Sequence, residues 1–342
     1  MQRKEHLTVF EYLLMTVILC AVFCLCVCTG SVSIPLSDIW RVMMNALSGT
    51  PQAAGLSGPI ILSVRLPRVC CVALTGAALS LAGAAMQGLL KNPLADGSTL
   101  GVSSGASLGA VISIAFGISF PSLPFAGTMV LAIVFAFLSL LLILGLAHKL
   151  DSSLATNTII LIGVIFSMFV SSIMNIIITF AADKVQHITF WTMGSLQGST
   201  FTNAAVLGSV LLACCVILFS GAEELNAFAV GEENAAHIGV NVKRVKLTVL
   251  ISVSVLIGVC VSVGGTIGFV GLVTPHMVRM LFGPNHKRLL PLSLFAGAIF
   301  LMLADLIARI LLNPLELPIG VVTSIVGAII FVIIFYRSGK ER

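Results

Sequence analysis

Long apolar runs make up most of the chain, and short polar stretches separate them. A helix needs about 20 mainly apolar residues to cross a membrane. By this criterion the pattern predicts ten spans, at 9–29, 69–90, 100–118, 125–146, 159–180, 204–220, 247–263, 266–281, 289–312 and 319–336. The sequence therefore predicts an all-α polytopic membrane protein with ten transmembrane helices, folded as a single domain over 1–342.

Two of the ten spans carry a weak signal. The span at 100–118 is rich in Gly and Ser, and the span at 266–281 is short and contains Pro275. With all ten spans and both termini in the cytoplasm, most Lys and Arg residues face the cytoplasm, as the positive-inside rule requires. Omitting the span at 100–118 moves Lys149 and the bases at 243–246 outside. The charge pattern thus supports ten spans and predicts that segment 221–246 is cytoplasmic.

Composition narrows the class of protein. The chain is 58% apolar and 9% charged, whereas soluble domains carry about 25% charged residues. The net charge of +5 resides mainly in short loops, where bases set topology, so it is no sign of nucleic-acid binding. We expect membrane lipid, and not nucleic acid, among the partners. The cysteines lack metal-site spacing, and neither a phosphate-binding loop nor a catalytic constellation occurs. We therefore expect neither an enzyme nor a bound metal or cofactor.

Segment 221–246 is the most polar long stretch between two spans. Its middle, 230–239, predicts one short helix, because acids occupy the first turn at Glu232 and Glu233 and Gly239 is suited to a C-cap. A short capped helix between spans is a candidate docking element for a water-soluble partner. An ordinary solvated loop is the alternative.

The span at 159–180 carries a polar stripe. Ser167, Ser171, Asn175 and Thr179 recur every four residues, so they form one slanting face of a helix. Such a face inside a membrane commonly lines a bundle interior or a wet cavity. The alternative is that the hydroxyls bond to their own helix and only assist helix packing.

Several charged residues lie near the outer ends of spans. Arg65 and Arg68 precede the span at 69–90 and are predicted to be exposed bases that bind an acidic partner or lipid headgroups. Asp305 and Arg309 are four residues apart and can form an ion pair on one helix. That pair is either structural or part of the same outer surface.

Specific motifs connect the chain to a known family. They are RLPR at 65–68, GAALSLAGAAMQGLLKNPLAD at 76–96, LGVSSGASLGA at 100–110, GFVGLVTPHMVRMLFGPNHKRLLPLSLFAGA at 268–298, ADLIAR at 304–309 and ELPIGVVTSIVGA at 316–328. These stretches resemble the FecCD-type permeases of ABC importers for iron-siderophores, haem and vitamin B12. The resemblance extends from about residue 60 to the end of the chain.

The resemblance implies a fold and a set of partners. It implies the type II ABC importer permease fold, with two weakly related halves at about 66–180 and 247–336. It implies a bacterial inner or plasma membrane subunit that pairs with a second copy or a paralogue. Two cytoplasmic ATPase subunits would bind ATP and Mg, and an extracytoplasmic binding protein would deliver the substrate.

The resemblance also assigns roles to individual positions. The helix that couples to the ATPase corresponds to 231–239, with Gly231, Glu232, Glu233, Ala235, Ala236 and Gly239. The arginines that meet acids of the binding protein correspond to Arg65, Arg68 and Arg309. The inner gate corresponds to Thr156 and Asn157, where Asn157 replaces the smaller Ser that can occur in the family.

A ferric siderophore is the favoured substrate because it is the family's most frequent one, with haem and cobalamin as alternatives. The residues themselves do not choose among these chelates. A secondary transporter driven by an ion gradient is the rival of a different class, but it predicts more carboxylates inside spans than Asp305 supplies. A membrane scaffold without transport is the other rival.

Overall fold

A computed structural model describes residues 8–48, 57–118, 126–151 and 155–340. The basic residues of the two ends that entered the topology prediction lie partly at 1–7 and 341–342, outside the described residues. Within the described part the chain is almost entirely helical. The relation between two halves of the chain stays a prediction.

Fifteen α-helices make up the described chain. They are α1 (Val9–Cys28), α2 (Leu36–Ser48), α3 (Ser57–Pro59), α4 (Leu66–Leu90), α5 (Val102–Ala115), α6 (Ala126–Leu150), α7 (Thr156–Phe180), α8 (Val185–Thr192), α9 (Phe201–Ser220), α10 (Ala222–Val230), α11 (Glu232–His237), α12 (Val242–Gly264), α13 (Val270–Phe282), α14 (His286–Ile310) and α15 (Ile319–Lys340). A π-helical turn, Ile60–Arg65, joins α3 to α4 without a break.

The helices match the ten predicted spans. Seven described helices are long and apolar enough to cross a membrane, and three shorter apolar helices, which include α5 and α13, complete the set. The two spans with weak signals therefore exist, but as short helices. In α13 the shortening has a clear backbone cause, because Phe269 adopts a left-handed conformation and the helix can begin only after it.

Pro275 lies inside α13 without ending it. A proline has no N–H, so the carbonyl four residues earlier, that of Gly271, lacks its helical donor. The side-chain amide of Gln87 in α4 donates to this oxygen at 3.3 Å and to the oxygen of Leu272 at 3.1 Å. A neighbouring helix thus replaces the bond that the proline removes.

The centre of the bundle is α4, which packs against α9, α12, α13 and α14. Small residues allow this close contact. A Cβ added at Gly83 would lie 1.8 Å from the oxygen of Gly271, and one added at Gly76 would lie 2.3 Å from the oxygen of Gly297. Backbone therefore meets backbone at both crossings, as small-residue faces in membranes permit.

Candidate functional site

Segment 221–246, which we call the coupling segment, forms two short helices followed by the start of α12. The prediction of one helix across 230–239 is wrong in its extent, because Gly231 adopts φ 141° and ψ 146° and separates α10 from α11. This conformation is essentially restricted to glycine. Helix α10 is not among the predicted elements, although its buried residues Ala222, Leu225 and Phe228 recur every three positions.

The end of α11 is a Schellman motif. Gly239 has φ +92°, its N–H donates to the oxygen of Ala236 at 3.0 Å, and the N–H of Val240 donates to the oxygen of Ala235 at 3.0 Å. This pattern satisfies two carbonyls that the helix end leaves without donors. It confirms Gly239 as the cap and sets where the chain turns toward α12.

One side of α11 is covered and the other is open. Ala235 is fully buried, whereas Glu233 and Ala236 are exposed. The side chains of Val230 and Ile238, which flank the helix, are each 73% exposed. Sequence reasoning did not single out these two apolar residues. They leave an apolar surface beside an acidic one, at a place where a water-soluble partner can bind.

Glu232 connects α11 to two other helices. Its Oε2 accepts a hydrogen bond from the Lys246 ammonium of α12 at 2.7 Å, and its Oε1 accepts one from the Thr156 hydroxyl of α7 at 3.3 Å. The Lys246 side chain is only 2% exposed. The structure therefore brings a predicted coupling residue and a predicted gate residue into contact. Lys246 is a member of this junction that the sequence did not identify.

Asn226 attaches α10 to the start of α14. Its Oδ1 accepts from the backbone N–H of His286 at 2.8 Å, and its Nδ2 donates to Oδ1 of Asn285 at 3.0 Å. The first N–H groups of a helix have no partner within the helix, so Asn226 acts as a cap supplied by another element. The coupling segment is thus attached to α14 on one side of Gly231 and to α7 on the other.

The polar stripe lies on a face of α7 that other helices of the described chain leave largely uncovered. Ser171, Asn175 and Thr179 are exposed, and Ser167 is half-buried. Two of the hydroxyls also bond within their own helix, since Ser167 donates to the oxygen of Gly163 at 2.9 Å and Thr179 donates to that of Asn175 at 2.8 Å. At the start of α7, Thr156 is half-buried and Asn157 is exposed.

Five charged residues form a buried cluster at the opposite end of α14 from Asn226. We call it the arginine cluster, and its members are Arg65, Arg68, Asp305, Arg309 and Glu316. Arg68 makes 2.9 Å and 2.6 Å contacts with the carboxylates of Asp305 and Glu316. Arg309 Nε lies 2.9 Å from Asp305 Oδ2, without an aligned hydrogen bond. The predicted Asp305–Arg309 ion pair is therefore confirmed.

The prediction that Arg65 and Arg68 are exposed bases is wrong. Arg65, Arg68 and Arg309 are only 5%, 6% and 2% exposed.

Arg68 is buried in its pairs with Asp305 and Glu316. For Arg65 and Arg309 the reason is the end of α1, where the last carbonyls lack helical donors. Arg65 donates to the oxygens of Val27 and Cys28 at 3.1 Å. Arg309 donates to those of Cys26 and Thr29 at 3.1 Å and 2.9 Å. The guanidinium groups thus cap α1, and a cation is favourable at that end of a helix.

Glu316 lies in the loop between α14 and α15 and is the most exposed acid of the cluster. Burial by itself raises the pKa of Glu316, but the hydrogen bond from Ser31 and the bond and charge of Arg68 outweigh burial and hold that pKa below its usual value. The carboxylate therefore stays ionised at neutral pH. Its pairing with Arg68 is lost only as the pH falls through the lowered pKa.

Known proteins resemble the chain over nearly its whole length. Residues 18–337 match the FecCD transport family. An uncharacterized ABC transporter permease protein, YvrB of Bacillus subtilis (strain 168), is 41% identical over 91% of this chain and 89% of its own length. The hemin transport system permease protein HmuU of Yersinia pestis is 34% identical over 92% and 91%.

A third relative and a solved structure agree with these matches. The vitamin B12 import system permease protein BtuC of Vibrio vulnificus (strain CMCP6) is 38% identical over 85% of this chain and 87% of its own. A structure of a metal-chelate type ABC transporter in an inward-facing conformation superposes with a TM-score of 0.83. It is 30% identical and covers 95% of this chain and 98% of that chain.

Proposed function

Because this chain belongs to the FecCD transport family of ABC importer permeases, we propose that it carries a ferric siderophore across the bacterial cell membrane. Two of the relatives named above are permeases for hemin and for vitamin B12, and the solved neighbour is of the metal-chelate type. All these substrates are chelates much larger than a simple ion. Among these large chelates, the proposed substrate of this chain is a ferric siderophore.

The choice of a ferric siderophore rests on its being the family's most frequent substrate, whereas the observation that supports transport of a large chelate is the exposed polar stripe of α7. Its hydroxyl and amide groups, at Ser171, Asn175 and Thr179, can exchange hydrogen bonds with the oxygen-rich surface of a ferric siderophore. They carry no charge, so they offer weak contacts that a large substrate can leave again. A path with a strong binding site would retain the substrate and slow its passage.

The proposed partners bind two open surfaces of the chain, the exposed face of α7 and the exposed side of α11. A second copy or a paralogue of the chain pairs beside α7, so that two such helices line one path. An ATPase subunit binds each permease in the cytoplasm at α11, where Val230 and Ile238 supply apolar contact and Glu233 supplies charge. ATP and Mg bind to those ATPase subunits. In this proposal the coupling segment and both termini lie in the cytoplasm.

The binding protein docks at the other end of the bundle. We retain Arg65, Arg68 and Arg309 as its proposed contacts, because the cluster contains three guanidinium groups and two carboxylates and so keeps an excess of positive charge. The three arginines are buried, so an acid of the binding protein must displace Glu316 to reach Arg68. Docking and rearrangement of the cluster are then a single event.

Uptake by proteoliposomes tests the proposal. The chain is reconstituted with its ATPase and binding protein and is supplied with radiolabelled ferric siderophores, haem or cobalamin. We expect ATP-dependent accumulation of a ferric siderophore that is lost when residues 231–239 are deleted. Accumulation of haem or cobalamin instead would overturn the siderophore assignment and identify that chelate as the substrate. Accumulation without ATP, driven by an imposed ion gradient, would overturn the importer mechanism in favour of a secondary transporter.

A further inference from the structure

The junction at Glu232 joins three elements that the chain brings together from distant positions. Thr156 is the first residue of α7 and precedes Glu232 by 76 residues, while Lys246 follows Glu232 by 14 residues on α12. A single carboxylate thus contacts the ammonium of one helix and the hydroxyl of another. Neither contact is needed to form α11 itself, which is closed by its own cap.

The buried ammonium of Lys246 fixes the half-exposed carboxylate of Glu232 in place. The Lys246 ammonium is almost fully removed from solvent, and a buried charge is costly unless it is paired. Its 2.7 Å bond to Glu232 is charge-assisted and therefore strong for a hydrogen bond. Lys246 holds one oxygen of Glu232, so the other oxygen points at Thr156 without further adjustment.

The two sides of Gly231 are attached to different parts of the bundle. Before Gly231, α10 is fixed to α14 through Asn226, and its Phe228 side chain is fully buried. After Gly231, α11 contacts α7 and α12 through Glu232. Gly231 is the single residue between α10 and α11, and its backbone conformation is one that only glycine adopts readily.

We propose that Glu232 transmits the tilting of α11 to the gate end of α7 through its bond to Thr156, with Lys246 as the residue that positions the carboxylate. This inference rests on the proposed function and names the residues that connect the ATPase surface to the path. Because α7 has 25 residues and is about 37 Å long, a displacement of its first turn reorients the whole polar stripe.

The first test is a double-mutant cycle on the unfolding of the full chain in detergent, which needs neither ATPase nor substrate. Thr156→Val removes the hydroxyl at constant shape, and Glu232→Ala removes the carboxylate. We expect Thr156→Val to lower the unfolding midpoint in the native background and to have no further effect beside Glu232→Ala. Additive shifts would mean that the two side chains do not interact and would overturn the proposal.

The second test measures transport per ATP hydrolysed in the assembled importer. We expect Thr156→Val to reduce this ratio about tenfold, with the ATPase rate preserved, and Thr156→Ser to restore it. Thr158→Val is the matched control on the same helix, because two positions turn a side chain by about 200° and point it away from Glu232. Glu11→Gln is a second control, since it alters a 2.6 Å ion pair with Arg288 that involves neither α7 nor α11.

Each result has a distinct meaning. One result is that the double-mutant cycle shows an interaction between Thr156 and Glu232 while Thr156→Val leaves the transport per ATP hydrolysed unchanged. The contact would then be only structural, and the transmission role would be overturned. An equal loss in Thr158→Val would also overturn that role, because it would reflect the helix end in general. Failure of the unmodified chain to accumulate any chelate with ATP would remove the proposed function and the transmission role together, while the contact measured by the cycle would stand.

Discussion

Two helices of equal length, α4 and α7, use a similar sequence pattern for opposite purposes. Each has 25 residues and carries small or polar residues at every fourth position. The α4 stripe comprises Gly76, Ser80, Ala84 and Gly88, and the α7 stripe comprises Ser167, Ser171, Asn175 and Thr179. In the folded chain the first stripe is buried and three of the four residues of the second are exposed.

The difference extends over the whole of both helices. We compare the most apolar stretch of 18 residues in each helix. In the continuous helix Ser57–Leu90, which contains α4, 78% of this stretch is buried, whereas in α7 only 22% is buried. Ser80 of α4 accepts a 2.6 Å hydrogen bond from the Thr274 hydroxyl of α13. On α7, by contrast, Thr179 bonds to its own helix. A repeat of four residues thus specifies a face, but other helices determine whether that face is a packing surface or an open one.

The largest effect is expected where α4 is joined to α14 by charge. Asp305→Ala leaves Arg68 and Arg309 buried without this carboxylate, and breaking a buried pair in this way costs about 3–5 kcal/mol. Unfolding in detergent measures the loss. Asp38→Ala, which removes the half-exposed partner of Arg41, is the control and should cost about 0–1 kcal/mol. Equal losses would show that the arginine cluster does not hold the helices together.

A smaller effect is expected where α4 meets α13. Gly83→Ala places a methyl group against the Gly271 backbone, which cannot rotate away as a side chain could, and overpacking of this kind costs about 1–3 kcal/mol. Gly145→Ala on α6 is the matched control, because an added Cβ there meets no atom within 4 Å. That change should leave the stability unaltered or raise it by about 1 kcal/mol. Similar unfolding midpoints for the two variants would contradict the close α4–α13 contact.

The smallest effect on stability, combined with a clear effect on function, is expected on α7. Ser171→Leu should change the free energy of unfolding by no more than about 0.5 kcal/mol, because the side chain is exposed. In proteoliposomes it should reduce chelate uptake about tenfold, since it makes the proposed path apolar. Ser172→Leu, an adjacent exposed position off the stripe, tests whether any leucine there has this effect. Equal uptake by both variants would argue against the stripe as the path.

The spans can be predicted from the apolar runs of the sequence, and the family from its motifs. A membrane span satisfies its backbone hydrogen bonds within its own helix, so a local run of apolar residues is sufficient to predict it. Even the short helix α5 can be predicted, because the charge pattern of the loops favours a topology that includes its span. The cap at Gly239 is equally local, since one glycine adopts the conformation that ends α11.

Apart from the local Asp305–Arg309 pair, the tertiary structure alone decided how the charged residues of the arginine cluster and of the coupling segment are paired. Arg68 meets Asp305 across 237 residues and Glu316 across 248, and Glu232 meets Thr156 across 76. No local pattern encodes such distances. A sequence shows that an arginine lies near the end of a span, but only the convergence of α1, α4 and α14 determines that it is buried and caps the carbonyls of another helix. The same holds for Glu232, whose partners depend on where α7 and α12 begin in space.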